Sequence, residues 1–167
     1  ILLPGNVKIQ KNPETNTNPE GVILLSNKKT IQITRLYPQN LILGIGCKKD
    51  TEAIEIVEAI ETVMGKHNLD MRSVKHIATV DVKKEEAGLI RASEMLGKNL
   101  VIIGREEIKR VQHSFEGSDF VERNIGVRAV SEPVAYLSSS RTGHFLEKKA
   151  KYKGITISIY EEEIKSE

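Results

Sequence analysis

The chain has very few of the residues on which several functions depend. It contains one cysteine, no tryptophan and 4% aromatic residues, and its 25 basic and 23 acidic residues leave a net charge of only +2. A single cysteine excludes an intrachain disulfide and any metal site built from several cysteines. A dedicated nucleic-acid binder concentrates positive charge on one face and stacks bases on aromatic rings, so we expect no nucleic-acid partner.

Long hydrophobic runs are also missing. The longest apolar stretches, such as 41–45 and 100–103, are far shorter than the run of about 20 residues that crosses a membrane. The first residues lack the basic and apolar segments of a signal peptide. We therefore expect no membrane association and a location in the cytoplasm, where a lone cysteine stays reduced. Because the sequence begins with Ile1, we also expect it to be part of a longer polypeptide.

The 167 residues divide into segments of different composition. Residues 11–21 form a polar, turn-rich stretch with two Asn-Pro steps, and residues 22–38 predict a β-hairpin around a turn at 26–29. We interpret residues 1–40 as the end of an upstream or middle domain, or as a linker. Residues 41–160 are interpreted as one domain, and residues 161–167 as a solvated tail.

From Leu41 onward, strands and helices alternate. Strands are predicted at 41–45, 74–82 and 100–104, with helices after each, the first of them capped by Asp50 or Thr51 and the second ending at Gly97. Right-handed crossovers make these three strands parallel, and two further strands meet at a turn around 151–154. The sequence therefore predicts a three-layer α/β/α fold with a mixed sheet of three parallel strands and a C-terminal antiparallel pair. Ligands of such sheets bind beyond the carboxyl ends of the strands, which directs attention to the loops 44–51, 81–88 and 104–106.

The first of these loops, LILGIGCKKDT, admits three interpretations. Gly44 and Gly46 match the first two glycines of a dinucleotide-binding loop, but Lys49 stands where the third is required. Cys47 precedes a helix beside Lys48 and Lys49, a setting that lowers the pKa of a thiol. No histidine is spaced to serve as its base, however. A sharp turn at a ligand edge, with Cys47 in a packing role, is the interpretation that these residues favour.

The second loop, ATVDVKKEEAGL, carries the polar residues that suggest chemistry. Strand alternation predicts that Thr79, Asp81 and Lys83 share one face, with Glu86 and Gly88 entering the next helix. A hydroxyl, a carboxylate and an ammonium together can fix a polar ligand or transfer a proton. The alternative is that Asp81 or Glu86 only caps the helix and Lys83 is solvated. The four histidines are scattered, so we predict no metal site.

Four segments, taken in order, resemble a known family: LILGIGCKKDT, IATVDVKKEEAGL, SDFVERNIGVRAVSEPVAYL and ITISIY. They resemble the C-terminal domain of the cobalamin biosynthesis protein CbiG, a domain that also occurs alone as CobE. The likeness extends from about Leu41 to Tyr160. Two positions depart from the family pattern, because Asp50 stands where the family usually has Gly and Ala87 where it often has Pro.

The resemblance implies the activity of cobalt-precorrin-5A hydrolase in the anaerobic corrin pathway, in which water opens a ring-A lactone and a two-carbon unit leaves as acetaldehyde. The implied partner is a cobalt-precorrin, a macrocycle ringed by acetate and propionate carboxylates, together with the rest of the polypeptide or other corrin-pathway enzymes. No cofactor is implied. The alternative function is a non-catalytic tetrapyrrole-binding or handover module, similar to CobE.

The resemblance also implies roles for particular residues. Asp81 or Glu86 would activate or orient water, and Lys83 or the N–H groups of the 46–49 turn would stabilise the oxyanion. Lysines and an arginine would meet the substrate carboxylates, namely Lys48, Lys49, Lys83 and Arg141. The implied catalytic residues are Asp81, Lys83 and Glu86, and the implied substrate-binding residues are Gly44, Gly46, Cys47, Lys48, Lys49, Thr51, Thr79, Gly88 and Glu132.

Overall fold

The structure is a computed structural model that describes residues 27–30, 32 and 34–164. The hairpin predicted over 22–38 lies largely outside these residues. Of the described positions in that stretch, 27–30, 32 and 34–38, none belongs to a strand. All the elements below lie in Leu36–Ile164, which forms one compact unit.

Within the described residues the chain forms five strands and five α-helices, joined by loops and three short 3-10 helices. The strands are β1 (Leu41–Gly46), β2 (Val74–Val80), β3 (Leu100–Ile103), β4 (Gly143–Tyr152) and β5 (Ile155–Glu162). The α-helices are α1 (Ala53–Lys66), α2 (Ala87–Met95), α3 (Arg105–Val111), α4 (Asp119–Ile125) and α5 (Ser131–Leu137). The 3-10 helices cover Met71–Ser73, Asp81–Lys83 and Gln112–Ser114.

The strands form one mixed sheet in the order β3-β2-β1-β5-β4. β1, β2 and β3 are parallel, whereas β5 runs antiparallel to both β1 and β4. At the start of β1, Ile42 pairs with His76 of β2 and with Tyr160 of β5. The prediction of three parallel strands and a C-terminal antiparallel pair is confirmed.

Helices cover both faces of the sheet because β1 alternates its apolar side chains between two cores. Leu41, Leu43 and Ile45 pack with residues of α1 and α2 on one face. Ile42 packs with residues of α3 and α5 on the other face. Each of these side chains is almost fully buried, and burying a Leu or Ile stabilises a fold by roughly 1.5–3 kcal/mol. The predicted three-layer arrangement is therefore confirmed.

The start of α1 differs from the prediction. Its N-terminal flanking residue is Glu52, which makes no capping hydrogen bond. Asp50 adopts a left-handed backbone with φ of 59°, and the Thr51 hydroxyl donates to the carbonyl of Lys48 at 2.8 Å. The prediction that Asp50 or Thr51 caps the helix was wrong, because both residues shape the loop before it.

The end of β2 also differs from the prediction. The strand was predicted to reach Val82, but it ends at Val80, and Asp81–Lys83 forms a 3-10 helix. Strand alternation does not apply to a helical turn, so Thr79, Asp81 and Lys83 do not share one strand face. The second predicted helix accordingly begins later, at Ala87, and it ends as predicted beside Gly97, whose φ is +62°.

β3 and β5 show two smaller differences. β3 was predicted to be a buried strand, but it forms an edge of the sheet and Ile102 is 38% exposed. β5 continues through Glu161 and Glu162, which the prediction assigned to a solvated tail. Glu162 is only 7% exposed because it accepts hydrogen bonds from Lys75 and from the backbone of Ser140. Among the described residues, no helix is long and apolar enough to span a membrane.

Candidate functional site

The two glycines of β1 have different surroundings. Gly44 is buried, and a Cβ placed on it would lie 1.9 Å from the carbonyl oxygen of Ser131 at the start of α5. The space left by Gly44 is therefore filled by the protein itself. Gly46 is partly exposed, and its nearest neighbour to such a Cβ is the side chain of Val130 at 3.5 Å. Of the two glycines, only Gly46 would accept a Cβ without a clash.

The loop that follows β1 presents two lysines to solvent. Lys48 and Lys49 are exposed, and neither forms a salt bridge with the residues that the structure describes. The stem of Lys48 lies against Gly154 in the β4–β5 turn, where an added Cβ would meet its Cε at 2.9 Å. A lysine whose stem is packed and whose ammonium is free is suited to bind an anionic ligand.

The same loop is held in place by the β2–α2 connection. The backbone N–H of Asp50 donates to one carboxylate oxygen of Glu86 at 2.7 Å, and the Lys83 ammonium donates to the other at 2.8 Å. A Cβ on Gly88 would lie 1.9 Å from the Thr51 carbonyl oxygen, so only glycine allows α2 to approach the loop this closely. Glu86, Lys83 and Gly88 together fix the conformation of this loop, residues 47–52, which we call the lysine loop.

The Lys83–Glu86 ion pair is buried, since each side chain is only 9% exposed. Burial by itself would raise the pKa of the Glu86 carboxyl. The hydrogen bonds from Lys83 and Asp50, together with the charges of Lys83 and Lys49, outweigh that effect and hold the pKa of Glu86 below its usual value. Glu86 is therefore a carboxylate with both oxygens engaged, and its lowered pKa makes it a weak base.

Cys47 lies beside this ion pair. Burial raises the pKa of its thiol, and the charge of Glu86 adds to the rise, while Lys83 and a hydrogen bond with Thr51 act in the opposite direction. A thiol with a raised pKa stays protonated near neutral pH and is a poor nucleophile. The packing role that the sequence analysis favoured fits this environment, because Cys47 contacts the core under α1 and α2.

Thr79 and Asp81 have separate partners. Thr79 is fully buried, and its hydroxyl donates to the carbonyl of Ile45 at 2.8 Å, which ties β2 to β1. Asp81 lies 2.9 Å from the guanidinium of Arg105 and also accepts from the backbone N–H of that residue at 3.3 Å. Its side chain remains 36% exposed, so Asp81 is a carboxylate that a ligand or water can reach.

Glu132 lies in α5, on the opposite face of the sheet from α1 and α2. Its side chain is 6% exposed and lies 3.3 Å from the ammonium of Lys149. The backbone N–H of Lys149 donates to the hydroxyl of Ser158, which in turn donates to the hydroxyl of Ser131. Glu132 thus belongs to a buried polar group that joins α5 to β4 and β5. No contact in the described structure joins it to the lysine loop.

The structure brings most of the predicted site residues together at one edge of the sheet. The loop residues and the β2–α2 residues are in direct contact, namely Asp50, Thr51, Lys83, Glu86 and Gly88. Arg141 is not at this edge, because it precedes β4, whose first residues pair with the end of β5 beside the start of β1. The sequence analysis missed Asp50 and Arg105 as members of the site. Both lie in loops that it had marked for attention, 44–51 and 104–106.

The arrangement can bind an anionic ligand and orient water, but it offers no metal site. No group of three His, Cys, Asp or Glu side chains within the described part of the chain could hold a metal ion. The exposed edge instead combines Lys48 and Lys49 with the reachable carboxylate of Asp81 and the backbone N–H groups that precede α1. Cations and N–H donors of this kind stabilise carboxylates and developing oxyanions.

Comparisons with known proteins agree with the family resemblance. The family model described as "Cobalamin synthesis G C-terminus" matches residues 41–160. Cobalt-precorrin-5A hydrolase from Salmonella typhimurium strain LT2 is 32% identical over 125 residues, which cover 75% of this chain and 35% of that protein. The protein of the same name from Priestia megaterium is 29% identical over 167 residues, which cover 94% of this chain and 44% of that protein.

Solved structures show the same fold. The crystal structure of CobE, described as a protein from the cobalamin (vitamin B12) biosynthetic pathway, is similar with a TM-score of 0.68 and 21% identity. The match covers 77% of this chain and 94% of CobE. The chain spans less than half the length of the curated relatives that it matches. With the family model matching most of its length, the chain belongs to the cobalamin synthesis G C-terminus family.

Proposed function

We propose that this chain supplies the C-terminal, substrate-binding part of a cobalt-precorrin-5A hydrolase. The observation that carries the proposal is the lysine loop, 47–52, at the carboxyl edge of the sheet. Its two exposed ammonium groups form no salt bridge with the described residues. The hydrolase names of the curated relatives favour an enzyme over the alternative of a handover module. The proposed location is the cytoplasm, and the proposed partners are the rest of the polypeptide or other corrin-pathway enzymes.

The chemistry of the substrate matches this edge. A cobalt-precorrin is a flat macrocycle ringed by acetate and propionate carboxylates, so its rim carries many negative charges. Lys48 and Lys49 would bind those carboxylates, and the partly exposed backbone at Gly46 would face the edge of the ring. Because Glu86 and Gly88 hold the loop from below, the lysines are positioned before the substrate arrives, which lowers the entropy cost of binding.

The proposed reaction needs a carboxylate that can reach water. Asp81 fits this role better than Glu86, because the side chain of Asp81 is 36% exposed and that of Glu86 only 9%. Asp81 would orient the water that attacks the lactone carbonyl, and the backbone N–H groups of the 46–49 turn would stabilise the oxyanion that forms there. The ring C–O bond of the lactone then breaks and leaves a carboxylate and a hydroxyl. Lys83 and Glu86 would position the loop.

Single substitutions in the intact protein separate these roles. With cobalt-precorrin-5A as substrate and acetaldehyde release as the assay, Asp81→Asn should lower kcat by a factor of about 10²–10⁴, the usual contribution of a general base. The matched control is Asp119→Asn. Asp119 is an exposed carboxylate of α4 that pairs with Arg128. It should leave kcat unchanged.

Lys83→Met and Glu86→Gln should act differently from Asp81→Asn. Because Lys83 and Glu86 position the lysine loop, both substitutions should raise the substrate Kd. Both should also lower the free energy of unfolding. If lactone opening proceeds at a near-normal rate in all three single variants, the catalytic assignment is wrong. If Asp81→Asn weakens binding without lowering kcat, Asp81 binds substrate and does not activate water.

A further inference from the structure

A cavity lies away from the lysine loop, and most of the chain's aromatic side chains line it. It has a volume of 610 Å³, within the range of small-molecule sites. Two of the chain's three phenylalanines and two of its four tyrosines line it: Phe115, Phe145, Tyr136 and Tyr160. The rings of Phe145 and Tyr160 meet edge to face with centroids 4.9 Å apart, and the other three contacts among the four rings span 6.0–6.2 Å.

Among the residues that the structure describes, those lining the cavity include cations and no carboxylate. Arg141 lies 5.9 Å from the ring centroid of Tyr136, and the Lys148 ammonium lies 5.7 Å from that of Phe145. Both side chains are exposed, and neither forms a salt bridge with any residue that the structure describes. His113 and His144 complete the basic lining, and the imidazole of His144 lies 3.7 Å from a carboxylate oxygen of Glu161.

The cavity and the lysine loop are at opposite ends of the sheet. Tyr160 pairs with Ile42 at the start of β1, whereas the lysine loop begins at Cys47, after the strand has ended. The five residue steps from Ile42 to Cys47 span roughly 16 Å at the usual rise of a strand. α5 runs toward the cavity, since Ser131 lies beside Gly44 and Tyr136 lies in the cavity wall. A ligand in this cavity would therefore occupy a second site.

We propose that this cavity binds a planar conjugated ring that carries anionic groups. Tyr160 is only 3% exposed, so the partly exposed rings of Phe115, Tyr136 and Phe145 offer faces and edges for the ligand ring. Arg141 and Lys148 supply charges for its anionic groups. A purely apolar ligand would leave the two cations without a use, and a small inorganic anion would leave the aromatic wall uncovered. The ring can belong to a carboxylated tetrapyrrole or to a nucleotide, since both combine a conjugated ring system with negative charge.

Binding measurements on the intact protein test this site. The first probe is uroporphyrin, a planar tetrapyrrole ringed by carboxylates, and the second is ADP. Two controls each lack one feature: inorganic phosphate lacks the ring, and the methyl ester of uroporphyrin lacks the charge. We expect uroporphyrin or ADP to bind and to shift the ring NMR signals of Tyr136 and Phe145. Neither phosphate nor the ester should compete at equal concentration. The stronger of the two probes identifies the source of the ring.

A pair of double variants links the binding to the two cations. Arg141→Gln with Lys148→Gln should raise the Kd at least about tenfold, because each lost charge-assisted contact is worth on the order of 1.5 kcal/mol. The matched control is Arg123→Gln with Lys151→Gln, which removes the same charges from exposed positions outside the cavity. It should leave the Kd unchanged.

Three results would overturn the proposal: no binding of either probe, equal binding of phosphate, or an unchanged Kd in the Arg141 and Lys148 double variant. Failure of this site is distinguishable from failure of the proposed hydrolase function. Acetaldehyde release and the effect of Asp81→Asn do not depend on the ring signals of Tyr136 and Phe145.

Discussion

Replacing Gly88 by Ala tests how α2 supports the lysine loop. The added Cβ would lie 1.9 Å from the Thr51 carbonyl oxygen and 3.0 Å from its carbonyl carbon, and both are backbone atoms that cannot rotate away. Overpacking typically costs about 1–3 kcal/mol, and a contact this short with backbone belongs at the upper end of that range. With about 2–4 °C per kcal/mol for a chain of this size, the expected fall in Tm is about 6–12 °C.

Thermal unfolding followed by circular dichroism measures this effect, and Gly65→Ala provides the matched control. Gly65 lies in the last turn of α1, and a Cβ placed on it would meet no atom within 4 Å. Alanine there should raise the free energy of unfolding by about 0.5 kcal/mol, because alanine favours helix more than glycine does. If Gly88→Ala unfolds at the wild-type temperature or above, the close approach of α2 to Thr51 is wrong.

Three further predictions concern buried polar groups. Glu86→Gln leaves the buried ammonium of Lys83 without its counter-charge and should lower stability at pH 7 by about 3 kcal/mol, as measured by urea unfolding. Because the folded pKa of Glu86 is below its usual value, its stabilisation is present above the usual carboxyl pKa and is lost as the pH falls through the folded pKa; the variant should therefore show a flatter stability profile in acid. Ser158→Ala removes a fully buried hydroxyl that accepts one hydrogen bond and donates another, and should cost about 1–3 kcal/mol. The Cys47 thiol, whose pKa is raised by burial, should react with a disulfide reagent at pH 7 more slowly than free cysteine does.

Two of these predictions, those for Ser158 and Cys47, have controls that share the same chemistry. Ser140→Ala removes an exposed hydroxyl and should change stability by less than about 0.5 kcal/mol. Denaturing the protein should restore the ordinary reactivity of Cys47. An acid profile for Glu86→Gln as steep as that of the wild type would contradict the lowered pKa of Glu86, and a Ser158→Ala variant as stable as wild type would contradict the buried hydrogen bonds.

The directions of the strands could be predicted from the sequence because they depend on pattern and handedness. β1 is apolar along its whole length, which indicates a strand covered on both faces, and right-handed crossovers then fix the parallel order. The C-terminal pair was predictable from two alternating segments, HFLEKKA and GITISIY, around a turn at 151–154. These signals are local to each element, and they give the strand directions without knowledge of any side-chain contact. The spatial order β3-β2-β1-β5-β4 was not part of the prediction.

The details of the site could not be predicted in the same way. Val80, Asp81 and Val82 read as one alternating strand, and nothing in that pattern marks the change to a 3-10 helix at Asp81. The hydrogen bond from Asp50 to Glu86 joins residues far apart in the sequence, and it requires the left-handed backbone of Asp50. Gly88 likewise has a reason to be glycine only once α2 is placed against Thr51.

Titration of the intact protein with cobalt-precorrin-5A, followed by its absorption spectrum, tests the central claim most directly. The account predicts a saturable spectral change, with a Kd at least about tenfold higher when Lys48 and Lys49 are both replaced by Gln. Replacing the exposed pair Arg110 and Arg123 by Gln should leave the Kd as in wild type. No spectral change at high protein concentration, or equal affinity in the Lys48 and Lys49 double variant, would contradict binding at the lysine loop.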